Sequence, residues 1–333
     1  MASALRRYAY GQARIRAKLS RLLTRQQLEV FAAYPDESLL SRELAALGWE
    51  DPAAAVLSRF GEVLDMLAGQ PRDVVLAYRA RYECENLGVL LRALERGVGY
   101  AEIAALLHPV GALAPGPRAE ELLEARSLAD AVSRLDAKPF GEVLRRHVRA
   151  AGAQPLERFR LELVAERVVY EDVWAAVQGL EPGDRRFAER VVGVKLDCVN
   201  LVRTARLRTH HGLAPEEVLA YAIRGGLHLG AAQRAVLAHE PLEAWPALFA
   251  STPYGVALAA AGSPPQLEAE LARVLARAAE RVLGASPFQL GLMLAYLVLV
   301  ELQAADLRRL LEGKRLQRPE EWLGAGLVTR RGP

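Results

Sequence analysis

The feature that most constrains this chain is a short pattern that occurs twice. Cys84-Glu85-Asn86-Leu87 and Cys198-Val199-Asn200-Leu201 hold the only two cysteines and the only two asparagines among 333 residues. With the asparagines aligned, an acid stands three residues earlier in each copy (Glu83, Asp197) and an arginine six residues later (Arg92, Arg206). Metal binding explains this poorly, because Cys-x-Asn-Leu lacks the Cys, His or carboxylate spacing that zinc requires. A disulfide between Cys84 and Cys198 has no support, since nothing suggests an oxidising compartment. An internal repeat explains both the pattern and its surroundings.

The apolar residues around each mark keep register. Ala77, Ala80, Cys84, Leu87, Leu91 and Leu94 in the first copy, and Val191, Val194, Cys198, Leu201 and Ala205 in the second, step by three and four. Such steps turn one helix face inward, so the cysteines read as small, reduced core residues. A third copy lies in Ala304-Ala305-Asp306-Leu307, on a stripe of Leu297, Val300, Ala304, Leu307 and Leu311. Here Asp306 takes the asparagine position, Gln303 the acidic one and Glu312 that of the arginine.

Further echoes extend the register. Leu213-Ala214-Pro215-Glu216-Glu217 is matched by the Pro319-Glu320-Glu321 stretch, and the Pro139-Phe140-Gly141 turn by Pro253-Tyr254-Gly255. Proline followed by acids suits a helix start, where no N–H is needed and the dipole end is positive. The marks stand 114 (200 − 86) and 106 (306 − 200) residues apart. That exceeds the roughly 20–50-residue period of a solenoid and suits three small domains. The expectation is an all-α fold of three similar helical units, 1–113, 114–228 and 229–333. Asn86, Asn200 and Asp306 would sit at equivalent places, each a helix-flank group hydrogen-bonded to a neighbouring connection.

Composition agrees. Ala, Leu, Arg and Glu dominate, no alternating β-type run stands out, and half the residues are apolar. Pro109–Pro117 and Gly225–Gly230 read as separators between units. The net charge of +3 is spread among interleaved acids and bases, without a nucleic-acid-binding motif. Met1 to Leu28 is the exception, with seven Arg or Lys and no acid. Leu5, Tyr8, Ile15, Leu19 and Leu22 make it an integral amphipathic helix with a solvated basic face, which an acidic partner or anionic headgroups would suit. The longest apolar run, Leu290–Val300, is 11 residues, short of the roughly 20 that span a membrane, so it reads as a buried helix of a soluble, cytoplasmic protein. No P-loop, nucleophile elbow or zincin motif occurs. His210 and His211 are adjacent and point about 100° apart on a helix, which is not a chelate. No catalytic residue, metal or cofactor is expected.

The chain resembles the C subunit of the archaeal and bacterial V-type (A-type) rotary ATPases, whose eukaryotic counterpart is the d subunit. The resemblance is carried by Tyr8–Leu23, by Glu83–Ala93 with its match Asp197–Arg206, and by Ala305–Lys314 followed by Leu316–Glu321. It covers essentially the whole chain, and Cys84, Cys198, Asp306 and Glu312 depart from the pattern. It implies a funnel of three helical domains without an active site. One copy per complex would receive the central shaft, made of the D and F subunits, and rest on the membrane-embedded proteolipid ring. It would lie at the cytoplasmic face of the membrane and pass rotation between head and ring. Arg92 and Arg206 are then candidate ring contacts, unless each pairs with a nearby acid of its own chain. An all-α enzyme acting on a small phosphorylated or isoprenoid-like substrate is the alternative from another class, and a helical nucleic-acid-binding protein a third.

Overall fold

The computed structural model describes residues 2–152, 154–285 and 287–329, with side chains from residue 7 onward. Met1, the Leu5 side chain of the N-terminal stripe and the last four residues of the third segment lie outside the described residues. The fold is all-α: 74% of it is helical and no strand occurs among the described residues, so helix packing alone must build the core. By backbone contact the chain forms two compact units, Met1–Arg72 with Val177–Pro333, and Asp73–Ala176. Equivalence of segments is a matter of internal register, whereas a unit is a matter of contact, so three like segments are compatible with two such units.

The larger unit is built around one 26-residue helix, Leu290–Arg315. Gln289 caps it, its side chain accepting the Leu292 N–H. The helix packs on Pro264–Leu283, Pro52–Leu64, Ala2–Leu19 and Glu37–Ala46. By length and composition it could cross a membrane, yet 78% of its most apolar stretch is buried inside the protein. Its hydrophobic residues therefore face other helices of this unit, which is the normal state of a core helix. Gly291 permits the close approach, since a Cβ there would lie 2.6 Å from Phe187 Cβ.

The N-terminal helix Ala2–Leu19 is held to the start of that core helix by two polar links. The Tyr8 hydroxyl donates to Asp184 Oδ2 at 2.6 Å, while Asp184 Oδ1 accepts the Leu290 N–H at 2.9 Å. Gln12 Oε1 accepts the Phe288 N–H at 2.7 Å. Tyr8 and Ile15 are buried, and Leu19 and Leu22 half-buried, which places the inward stripe where the 3.6-residue period puts it.

The smaller unit centres on Arg81–Arg96, which packs on the short helices Pro117–Leu123 and Leu128–Arg134. It stops at Gly97, whose left-handed φ of 65° is a favourable helix end. Its buried face differs from the apolar stripe. Tyr82, Glu83, Asn86, Leu87, Leu90 and Leu91 are buried, whereas Ala77, Ala80, Cys84 and Leu94 are only half-buried. The cause is that two polar residues, Glu83 and Asn86, face inward with their hydrogen bonds satisfied, so a stripe drawn on apolar residues alone is rotated off the true face. In the second copy Val191, Val194, Cys198, Leu201 and Ala205 are all buried.

The two cysteines thus differ. Burial pushes the Cys198 thiol up to about 12, and its Sγ lies 3.5 Å from the Leu271 carbonyl. Only thiolates alkylate readily. In native protein near pH 8, iodoacetamide should modify Cys84 at least about a hundredfold faster than Cys198, and Cys198 should react fully only in denaturant. Peptide mass spectrometry of timed samples measures both rates, and equal native rates would contradict the burial of Cys198.

Candidate functional site

Each of the three marked positions is a polar side chain buried in mid-helix, with Asn86 0%, Asn200 1% and Asp306 2% exposed. Such a group is costly unless its hydrogen bonds are made. In all three cases they are made to the backbone of a connection 22 or 23 residues later. Asn86 Oδ1 accepts the His108 N–H at 2.7 Å, while its Nδ2 donates to the carbonyls of His108 and Leu113 at 2.8 and 2.9 Å. Asn200 grips Ile223 alike, accepting its N–H at 2.9 Å and donating to its carbonyl at 3.0 Å. The amide thereby mimics a peptide group and saturates both backbone groups of one residue.

Asp306 faces a different partner set. Oδ1 accepts the Val328 N–H at 2.8 Å, and Oδ2 accepts the N–H and hydroxyl of Thr329 at 2.8 and 2.6 Å. All three partners donate, so an acceptor-only carboxylate fits where an amide NH₂ would not. Burial holds the Asp306 carboxyl above the usual range, opposed by these donors and by the charge of Arg25.

The acidic marks add a second grip. Glu83 Oε1 accepts the Ala112 N–H at 2.8 Å. Asp197 accepts the N–H groups of Leu227, His228 and Leu229 at 3.1, 2.7 and 3.3 Å, and the Tyr254 hydroxyl at 2.7 Å. In both copies a glycine with positive φ lets the backbone wrap the carboxylate. A Cβ on Gly111 or Gly226 would fall within 2.1 or 2.0 Å of it. Desolvation raises the pKa of both carboxyls, and the backbone donors oppose it. Tyr254 follows Asp197 by 57 residues. Phe140 follows Glu83 by the same interval and lines a small cavity with it, but a phenylalanine has no hydroxyl to donate. Gln303 takes another route, its Nε2 donating to the Leu23 carbonyl at 3.1 Å.

The glycine-rich connections that read as separators are therefore held from both sides, by the asparagine and by the acid. The sequence did carry a signal for this, since acid, asparagine and downstream glycine recur at nearly constant offsets. The Tyr8–Asp184–Leu290 link had none, because its members lie more than 100 residues apart without a repeat to flag them.

Arg92 and Arg206 sit on the outer faces of their helices, with side chains 48% and 51% exposed. Arg92 lies 3.8 Å from Glu162 and Arg206 2.5 Å from Glu268, so each has an intramolecular acid on another helix. Pairs this exposed contribute about 0–1 kcal/mol and can be exchanged for another partner at little cost. No group of three or more His, Cys, Asp or Glu suited to a metal occurs among the described residues.

Comparison with known proteins bears on the whole chain. Residues 53–324 match the family model described as ATP synthase (C/AC39) subunit. The chain is 28% identical to the C subunit of the V-type ATP synthase of Thermus thermophilus, over 91% of this chain and 93% of the relative. It is 22% identical to the C subunit of the A-type ATP synthase of Methanosarcina mazei, over 96% and 92%. The corresponding protein of Methanocaldococcus jannaschii is 22% identical, over 94% and 84%.

The choice of amide or carboxylate at each mark is testable. Asn86→Asp would set a charge against two carbonyls, and Asp306→Asn would set an NH₂ against the donor or donors on one side of the carboxylate. Each should destabilise its protein by about 1–3 kcal/mol in urea melts at pH 7. A carboxyl whose pKa is raised on folding contributes stability that is fully present below its unfolded pKa and lost as pH rises through the folded value. The stability gap between the unsubstituted protein and Asp306→Asn should therefore widen as pH falls from neutral towards 4. A gap that narrows would mean that the hydrogen bonds, rather than burial, dominate at Asp306.

Proposed function

The chain belongs to the ATP synthase C/AC39 family, the C subunits of V/A-type ATP synthases, and from that premise we propose that it is the non-catalytic coupling socket of a rotary ATPase. In this reading it receives the D and F subunits of the shaft and rests on the membrane proteolipid ring at its cytoplasmic side. The single observation that carries the reading is the family match across most of the chain. The polar clasps support it physically. A part that transmits torque must not let its connections yield, and buried, fully bonded side chains stiffen loops that would otherwise be the softest places. We further propose that segments 1–113, 114–228 and 229–333 are equivalent, marked by Asn86, Asn200 and Asp306. Three like segments let one adaptor meet a ring of many identical protomers and an asymmetric shaft without copying either symmetry.

Arg92 and Arg206 are the proposed polar contacts to the ring. They stand at the same place after two marks, and each is about half exposed, so its present pair contributes little.

The test compares ATP hydrolysis with ATP-driven ion pumping in complexes assembled with and without this protein. Hydrolysis by the detached head should continue while pumping is lost, and normal pumping without the protein would refute the socket. The double substitution R92E/R206E should weaken ring association, less so at high salt where the new repulsion is screened. Adding E268R to R206E restores that intramolecular pair with its signs exchanged, whereas Glu162 also holds Arg158 and is left in place. If Arg206 serves only its pair, R206E/E268R should pump normally; if it contacts the ring, it should remain impaired.

A further inference from the structure

The N-terminal helix has a second face that the core does not use. Tyr8, Gly11, Gln12 and Ile15 are buried, while Tyr10, Ala13, Arg14, Arg16 and Ala17 are exposed, and Arg21 follows in the turn after the helix. Lys18 is paired with Glu62, and Arg7 with Glu181. No acid pairs with Arg14, Arg16 or Arg21 among the described residues, and the helix itself contains none. In a chain with 40 acids against 43 basic residues, three neighbouring arginines without a counter-charge are a local excess that interleaving elsewhere avoids. Tyr10 is 67% exposed, and Arg14 both lies over its ring and donates to its hydroxyl.

We propose that this face docks on anionic phospholipid headgroups. Charge complementarity selects the occupant's sign. Guanidinium groups match phosphate oxygens geometrically, and tyrosine is at home in the headgroup layer. The relief of the face selects lipid over a folded acidic protein. Between the arginines stand alanines, Ala13 and Ala17, and Tyr10 is the one aromatic side chain on the face. Protein interfaces concentrate their energy in well-packed anchors seated in pockets, whereas a fluid headgroup layer conforms to a flat basic surface. The buried stripe of this helix is engaged by the core, so binding would be electrostatic and peripheral rather than insertional. Each basic residue near such a surface is worth about fivefold in partitioning, so three give about a hundredfold at low ionic strength. This goes beyond the coupling role and does not require it: the face needs only an anionic surface within reach.

The experiment is flotation of the full chain with vesicles of phosphatidylglycerol in phosphatidylcholine, beside vesicles of phosphatidylcholine alone. Binding should require the anionic lipid, fall steeply with salt and drop by at least about a hundredfold in R14E/R16E/R21E. The control R72E/R149E/R281E reverses three exposed arginines elsewhere, with the same change in net charge. It should bind nearly as well as the unsubstituted chain. Equal loss in both variants would reduce the effect to net charge and overturn the site. Absence of binding to anionic vesicles would overturn the proposal outright. If the first variant keeps its vesicle binding but loses capture of soluble partner proteins of the complex, the face belongs to an acidic protein instead. Thermal melts of both variants separate lost binding from lost folding.

Discussion

The interaction on which the rest depends is a buried amide or carboxylate that saturates the backbone of a connection. An unpaired backbone N–H or C=O inside a protein is expensive. An all-α chain has no sheet ladder to absorb the polar groups of its loops. Here Asn86, Asn200 and Asp306 do so from mid-helix, each taking hold 22 or 23 residues downstream. Glu83 and Asp197 add a second hold on the following glycine-bearing turns. Burial lets these bonds act in a low dielectric, where they are stronger and where their loss costs most.

The identity at each mark follows from what the connection offers. His108 and Ile223 present one donor and at least one acceptor, which an amide matches. Val328 and Thr329 present donors only, which a carboxylate matches. Asp306 where the other two marked positions hold asparagine thus goes with a different partner set, and shape alone would not have distinguished the two.

Much of this was legible in the sequence. The all-α class, the burial of Cys198 and of the Leu290–Val300 stretch, and the bonding of the asparagines to connections all follow from period and residue type. The inward face of the Arg81–Arg96 helix did not, because a stripe drawn on apolar residues cannot count Glu83 and Asn86 as inward until their partners are known. Nor did the role of Gly111 and Gly226. Glycine-rich stretches read equally well as loose separators or as turns wrapped on a carboxylate, and only the position of Glu83 or Asp197 decides. Links such as Tyr8 to Asp184 leave no local trace at all. For Arg92 and Arg206 the sequence named the two outcomes, ring contact or intramolecular pair. The observed pairs with Glu162 and Glu268 are weak enough to permit both.

The central claim is that each connection is held locally by its own marked helix. Amide hydrogen exchange, resolved along the chain, tests it most directly by comparing the unsubstituted protein with Asn86→Ala, Asn200→Ala and Asp306→Ala. The account predicts that each substitution speeds exchange chiefly in its own connection, around His108, Ile223 or Val328 respectively, and leaves the other two near their original rates. Uniform acceleration throughout the chain, or no change at the clasped amides, would contradict it.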